Sequence, residues 1–557
     1  MIIGCTHVWE IGRIPESLPK FSYIPTSIKV YFTYQNQIFM KRLTHFIYSF
    51  YFLIPALLLG QDNSVDSVMM ARIREEGMTH SQIPMIAHQL TDVAGPRLTN
   101  SPGFKRAANW AVTTMKSWGL ANAQMEDWGQ FGRGWELQKS YAAMSAPYYQ
   151  PIIAYPVAWT SGTKGLIKAP VVLLDKLDSA TIKKHAAEIK NAIVLLSDGT
   201  MKLRSAFNAY ATRYTDSQLV RMGDTYWITR KMVDFYIPFI RKRKNVKAYL
   251  MQQGPAAVLI ENGEGRDGTI FVDGTSAYKK DETPGKPQLV ISTEDFLKLR
   301  RLTEGGTKVQ LELEVKVGFL NNDLRGHNVV AEIPGVDPQL KSELVIIGGH
   351  LDSWHSGTGA TDNGAGCIVM MEVMRILRSL GVQPKRTIRI TLWDGEEQGL
   401  YGSYNYVRNH FADVNTMELK PDYNKVSAYY NLDNGSGKIR GIFTQNNQEV
   451  VPIFKSWLAP FADLGASTVT TKNTGSTDHQ AFDEVGIPGF QFIQDPLEYE
   501  TRTHHSNMDT YDHLQIDDLK QAAVIIAAFV YNTAMRDQKI PRKPMPAPGK
   551  WIFDGLD

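Results

Sequence analysis

His350, Asp362, Glu396, Glu397, Asp433 and His505 each stand where a hydrophobic, strand-like run gives way to a glycine-rich or polar turn. Imidazole nitrogens and carboxylate oxygens are ligands for divalent cations, and a catalytic zinc takes three protein ligands and leaves one position for water. Two imidazoles and four carboxylates exceed that need, so the set points to two metals.

Each piece is modest alone. Asp352 follows His350 by two residues, close enough to hold one ring nitrogen while the other binds metal. An isolated His-x-Asp equally describes a histidine satisfied by a turn. Asp362, at a turn into a helix, is explained by simple capping, yet two metals about 3.5 to 4 Å apart call for a bridging carboxylate. Adjacent Glu396 and Glu397 are costly unless positive charge separates their roles, which suggests one ligand and one general base for water. Asp433 and the pair Asp478-His479 lie in turns that Asx chemistry explains cheaply. Their value is cumulative.

Runs at 344–347, 387–393, 426–430 and 489–493 read as strands, and 365–380, 401–410, 450–464 and 519–535 read as helices. That alternation predicts an α/β fold, a mixed and largely parallel sheet covered by helices on both faces. In such sheets the ligand crevice lies outside the carboxyl ends of the strands, where His350, Glu396 and Glu397, Asp433 and finally His505 follow the four runs. Upstream, helices are expected from 65 to 118, with Ser81 capping 83–90, then 107–118. The Gly/Pro-rich stretch 95–103 reads as a loop without assigned chemistry. Between 129 and 317 short β-branched runs at 170–174, 192–196, 257–260 and 309–317 predict an inserted, mostly β domain with one helical excursion at 201–247.

At 557 residues the chain exceeds one ordinary core. Its 43% hydrophobic and 21% charged residues are those of a globular protein. A formal charge of +3 leaves no footprint for nucleic acid, and the basic residues of 201–247, interleaved with aromatics, read as a solvated helical face. Met40-Lys41-Arg42, the apolar run 46–59 and Gly60 have the layout of a secretory signal peptide; the run falls short of the roughly 20 residues of a membrane span. The predicted organisation is an upstream extension at 1–39, a signal at 40–60, segments of one main domain at 61–128 and 318–540 around the insertion at 129–317, and a peripheral proline-rich tail at 541–557. A secreted or periplasmic protein without a stable membrane anchor is expected. Of two cysteines, Cys5 precedes the signal and Cys367 sits in an apolar helix, where packing is its expected role.

The strings GGHLDSW (348–354), GATDNGAG (359–366), WDGEEQGLYGS (393–403), NLDN (431–434), STDHQAF (476–482) and THHSNMDT (503–510) resemble, in order, the di-zinc exopeptidase family of bacterial leucyl aminopeptidases and glutamate carboxypeptidase II. The layout resembles the carboxypeptidase Q branch, and the insertion resembles a protease-associated domain. The resemblance implies two zinc ions per chain. His350 and Asp433 hold one, Glu397 and His505 the other, Asp362 bridges, and Glu396 is the base. It selects His505 over His504, places Asp352, Asp478 and Asp509 behind the ligands, and leaves Tyr499, Ser476 or His479 as oxyanion donor. The implied activity is aminopeptidase or dipeptidase action on peptides, with a homodimer compatible. A carboxypeptidase would instead need a cation for the substrate carboxylate, for which Arg97, Arg213, Arg440 and Arg502 are candidates. A glutaminyl cyclase, which uses one zinc, and a receptor-like protein of the same fold are the rival classes.

Overall fold

Four runs rich in β-branched and aromatic residues, Leu344–His350, Thr387–Trp393, Val426–Asn431 and Gly489–Gln494, lie side by side in parallel and are buried almost throughout. Parallel neighbours require long crossovers, and the helices Ala365–Ser379, Tyr401–His410 and His479–Asp483 fall between them in the chain. Outer strands complete a mixed eight-stranded sheet, Arg325–Ile333 antiparallel to Thr387–Trp393 and Ile439–Phe443 antiparallel to Gly489–Gln494. The computed structural model describes residues 65–554 except Asp198, Thr200, Lys202, Leu203 and Glu264, so the expected extension and signal peptide, with Cys5, lie outside the described residues.

Helices cover both faces. Ala365–Ser379 packs with Ile516–Met535 and Ser67–Thr79 over the larger core cluster, while Tyr401–His410 and His479–Asp483 cover the other, where Tyr429 stacks on Phe482 at 4.2 Å. Helix ends differ from the periodic pattern where caps override it. Ser101 accepts from Phe104 N and Pro102 takes the first turn, so that helix begins at 102, five residues before its apolar periodicity. Among the described residues of the 201–247 stretch, helix is confined to Asp216–Val220 and the part of Arg230–Gln252 that falls within it.

The insertion departs from the expected mostly β character. Its own eight-stranded sheet runs from Gly134 to Leu320, and Ile167–Leu174, Ile193–Leu196, Ala257–Glu261 and Gln288–Ile291 are parallel neighbours. Parallel pairing demands crossovers, and the 23-residue helix Arg230–Gln252 lies in one of them, so the insert is α/β. Aromatic rings join it to the first sheet. Phe131, just past the first sheet's strand Ala121–Gln130, stacks on Tyr278 at 4.7 Å and meets Tyr401 at 6.3 Å, with Trp159 beside Trp354 at 6.4 Å.

The chain end is not peripheral. Trp551, Ile552 and Phe553 are buried, Trp551 stacks on Tyr404 at 4.4 Å, and Arg230 donates to its carbonyl at 3.0 Å. Proline composition suggested a tail, and the apolar triplet after it anchors the end instead. Among the described residues no helix is long and apolar enough to cross a membrane.

Two measurements test this packing. Phe131→Ala removes a ring enclosed by Trp128, Trp159, Tyr278 and Tyr401 and is expected to cost about 3–5 kcal/mol in urea unfolding. Glu484 carries a solvent-shielded Oε2 without a hydrogen-bond partner, and burial pushes its carboxyl up to about 8 from 4.5. A raised acid binds its proton more tightly when folded, so the penalty is absent below pH 4.5, grows as pH rises and is complete above about 8. Glu484→Gln is therefore expected to stabilise the protein by a few kcal/mol at pH 8.5 and to be neutral at pH 4.5.

Candidate metal centre

His350 ends its strand with the ring fixed from behind: Nδ1 lies 3.0 Å from the Asp352 carbonyl oxygen and 3.7 Å from the Asp352 carboxylate. The nearer partner is the main chain. The Asp352 side chain does something else, accepting from Glu396 N at 3.2 Å, Glu397 N at 3.3 Å and the Thr99 hydroxyl at 2.9 Å. It thereby ties the acidic turn to the histidine strand.

Asp362 sits in the turn Ala360–Gly364 that enters helix Ala365–Ser379, and its peptide bond to Asn363 is cis. Gly359 precedes that turn at φ 60°, where a Cβ would lie 2.3 Å from Ser353 Cβ. The turn hangs on Asp509, whose carboxylate accepts from Thr361 N at 2.6 Å and Asp362 N at 3.0 Å. Burial, with Asp362 nearby, pushes Asp509 up to about 7.

The two Asp362 oxygens face different partners. Oδ1 is 3.3 Å from His350 Nε2, which also lies 3.7 Å from Asp433 Oδ1 and 3.8 Å from Glu396 Oε2. Oδ2 is 3.3 Å from His505 Nε2, itself 2.9 Å from Glu397 Oε2. His504 approaches Asp362 only at 3.8 Å and lies tilted against His505 with ring centroids 3.8 Å apart. Two groups of donors therefore share one carboxylate.

The donor set fits cations. Asp362 Oδ2, Glu397 Oε1 and Asp433 Oδ1 are buried without a hydrogen-bond donor, a condition that costs free energy unless a positive partner is supplied. Burial pushes Glu396 and Glu397 well above the ordinary carboxyl range, against the pull of His350. Burial opposes a charge on His350, yet Glu396 and Asp433 hold its pKa well up. His505 is held below its ordinary value by burial, which favours the neutral imidazole that binds metal.

The remaining sequence candidates divide. Tyr499 donates to Asp362 Oδ1 at 3.0 Å and lines the pocket over the carboxylates. Ser476 also lines it, but its hydroxyl donates to the Tyr226 carbonyl at 3.1 Å. His479 turns away, with Nε2 between Gln445 Nε2 at 2.8 Å and the Thr474 carbonyl at 3.0 Å. Asp478 is fully buried, and burial pushes its carboxyl up to about 8 against the pull of His350 and Ser403. Cys367 packs as expected. Its thiol donates to the His350 carbonyl at 3.0 Å, and burial pushes it up to about 12.

Three contributors have roles that the sequence did not assign. Arg97, from the loop left without chemistry, is fully buried and donates to the carbonyls of Leu351 at 2.6 Å, Leu90 at 3.0 Å and Gly359 at 2.8 Å, underpinning both metal-side loops. Tyr226 of the insert and Phe553 of the chain end line the pocket. An apolar triplet after a proline-rich stretch was the available signal for Phe553; Arg97 was a candidate for a substrate carboxylate and instead supports the loops, and Tyr226 had no signal.

Comparison with known proteins agrees with this geometry. Residues 328–530 match the model of Peptidase family M28. Mouse (Mus musculus) carboxypeptidase Q is 26% identical over 455 residues, covering 81% of this chain and 86% of the relative. Aminopeptidase YwaD of Bacillus subtilis is 28% identical over 219 residues, 38% of this chain and 47% of the relative. A crystal structure of a peptidase M28 precursor from Shewanella amazonensis superposes with a TM-score of 0.64 at 22% identity, covering 86% of this chain and 98% of that one, and shares the fold. The paired acidic and imidazole donors at the ends of parallel strands all lie within the segment that matches Peptidase family M28, and together these likenesses support a zinc metallopeptidase.

Proposed function

We propose that the protein is an exported di-zinc exopeptidase that releases residues from the free amino end of peptides or splits dipeptides. The observation that carries the reading is the Asp362 carboxylate, with Oδ1 toward His350 and Asp433 and Oδ2 toward His505 and Glu397. One cation would leave half of that set unpaired, which argues against the one-zinc cyclase chemistry. The presence of every donor argues against a receptor-like role.

Zinc, when bound, supplies Lewis acidity for the scissile carbonyl and for water. Glu396 is the base: it takes a proton from the attacking water at a carboxylate oxygen and returns it to the leaving amine as the C–N bond breaks. A pKa raised by burial suits a group that must both accept and release that proton. Tyr499 is the oxyanion donor, since its hydroxyl already faces the ligands, whereas His479 is committed elsewhere.

The pocket wall supports the amino-terminal choice. Among the described residues its lining holds five carboxylates and no Lys or Arg. The four arginines that could have held a substrate carboxylate are engaged elsewhere: Arg97 on main-chain carbonyls, Arg213 and Arg440 on Asp495, and Arg502 over the Tyr210 ring at 4.3 Å.

Metal analysis of the purified protein should give two zinc equivalents per chain, and a single equivalent would refute the shared-carboxylate reading. Glu396→Gln is expected to lower turnover of leucine 4-nitroanilide by about 100-fold or more with both equivalents retained. His505→Ala should lose one.

A further inference from the structure

The helix Arg230–Gln252 carries two apolar faces where a surface helix normally has one. Val233 joins the core cluster that holds Trp551, Ile552 and Phe553, and Leu250 joins that of the insert with Val246 and Tyr249 packed against it. Met232, Phe235 and Phe239 stand outside both clusters, 36%, 63% and 59% exposed, with the two phenylalanine ring centroids 5.6 Å apart. Spacings of three and four residues put the three on one stripe. Among the described residues the exposed phenylalanines are these two and Phe207, all within 201–247. The basic residues of this stretch are solvated as their spacing implies, yet large rings stand among them.

From Phe235 to Gln252 the helix holds five basic residues and no acidic one. Asp234, the acid before them, is paired with Arg230 at 2.7 Å, and Lys244 with Glu282 at 3.0 Å. Lys231, Arg241 and Lys242 are exposed and make no ion pair among the described residues. Arg241 and Lys242 also line an open hollow with Pro238, Asn245 and Ser179, the first residue of helix Ser179–Lys184. Exposed rings flanked by unpaired cations match a surface that is apolar just beneath a layer of anions. A second copy of the chain, packed through the same face, would instead set these cations against their own equivalents. We infer that this face docks the protein reversibly on anionic phospholipid bilayers. Phe235 and Phe239 enter the headgroup boundary, and Arg241 and Lys242 meet lipid phosphates. Tyr226, just before the helix in the chain, lines the metal pocket, so one segment of the insert serves both the bilayer and the pocket wall.

Co-sedimentation of the exported protein with lipid vesicles tests this. Wild-type protein is expected to pellet with vesicles of equal parts phosphatidylcholine and phosphatidylglycerol and to stay in solution with phosphatidylcholine alone. About 1 M sodium chloride, which screens charges beyond roughly 3 Å, should release it. Phe235→Ser/Phe239→Ser and Arg241→Glu/Lys242→Glu should each weaken partitioning about 10-fold or more. Both variants change exposed side chains, so circular dichroism and the urea midpoint should match wild type. Val336→Ser/Leu419→Ser, which removes exposed apolar groups elsewhere, should bind as wild type does. Absence of pelleting, equal binding to both kinds of vesicle, or binding that the two helix variants leave intact overturns the inference. So does a light-scattering mass that falls from dimer to monomer in Phe235→Ser/Phe239→Ser with vesicle binding unchanged, which assigns the face to a second copy.

Discussion

Carboxylates gathered at the ends of parallel strands repel one another, and much of this molecule serves to keep them close. Asp352, Asp362, Asp394, Glu396, Glu397, Asp433 and Asp478 are all buried within one region. Burying like charges is tolerated only where hydrogen bonds or opposite charge compensate. Main-chain donors compensate part of it: Asp352 takes the N–H groups of Glu396 and Glu397, and Asp509 takes those of Thr361 and Asp362. Oxygens of Asp362, Glu396, Glu397 and Asp433 point inward, toward the two imidazoles. The fold therefore pre-arranges a negative hollow, in which divalent cations are the natural counter-charge.

That hollow explains why supports come from distant parts of the chain. Arg97 does not pair with any ligand carboxylate; it satisfies carbonyls of the loops that carry them, so its burial stiffens the frame without neutralising the site. Thr99 reaches Asp352 from the same loop. Thr225 joins the insert to the strip before the Ser476 turn through Asn473 at 3.0 Å, and Phe553 closes the wall from the far end of the chain. Rigid ligand geometry is thus a property of the whole assembly rather than of six residues.

What was legible in the sequence follows from this division. The ligand residues were visible because parallel strands are continuous apolar runs, and a polar residue at the end of each is conspicuous; the topology then delivers them to one edge. The shared role of Asp362 was suggested by chemistry and given by resemblance, and the distances to His350 and His505 add geometry to it. The parallel pairing of the insert was hidden, since short apolar runs such as 193–196 look the same in either orientation and their crossovers carry few helical signals. Roles that depend on which way a side chain turns were equally hidden. His479 and Ser476 share a motif, yet one faces Gln445 and the other lines the pocket.

The arrangement also separates chemistry from choice. The candidate metal donors all come from the strand ends and loops of one sheet, fixed by buried hydrogen bonds, and the insert reaches that frame at the His505 loop, where Val272 N donates to the His505 carbonyl at 2.9 Å. The groups beyond that set, Tyr214, Met222 and Tyr226, come from the insert, which meets the loops of the sheet through bridges at Thr225–Thr474, Thr212–Leu497 and Phe271–Ser506. Side chains of the insert that lie away from these bridges can change without disturbing the strand ends beneath. The frame of donors can remain constant while the insert's side chains vary the wall above it.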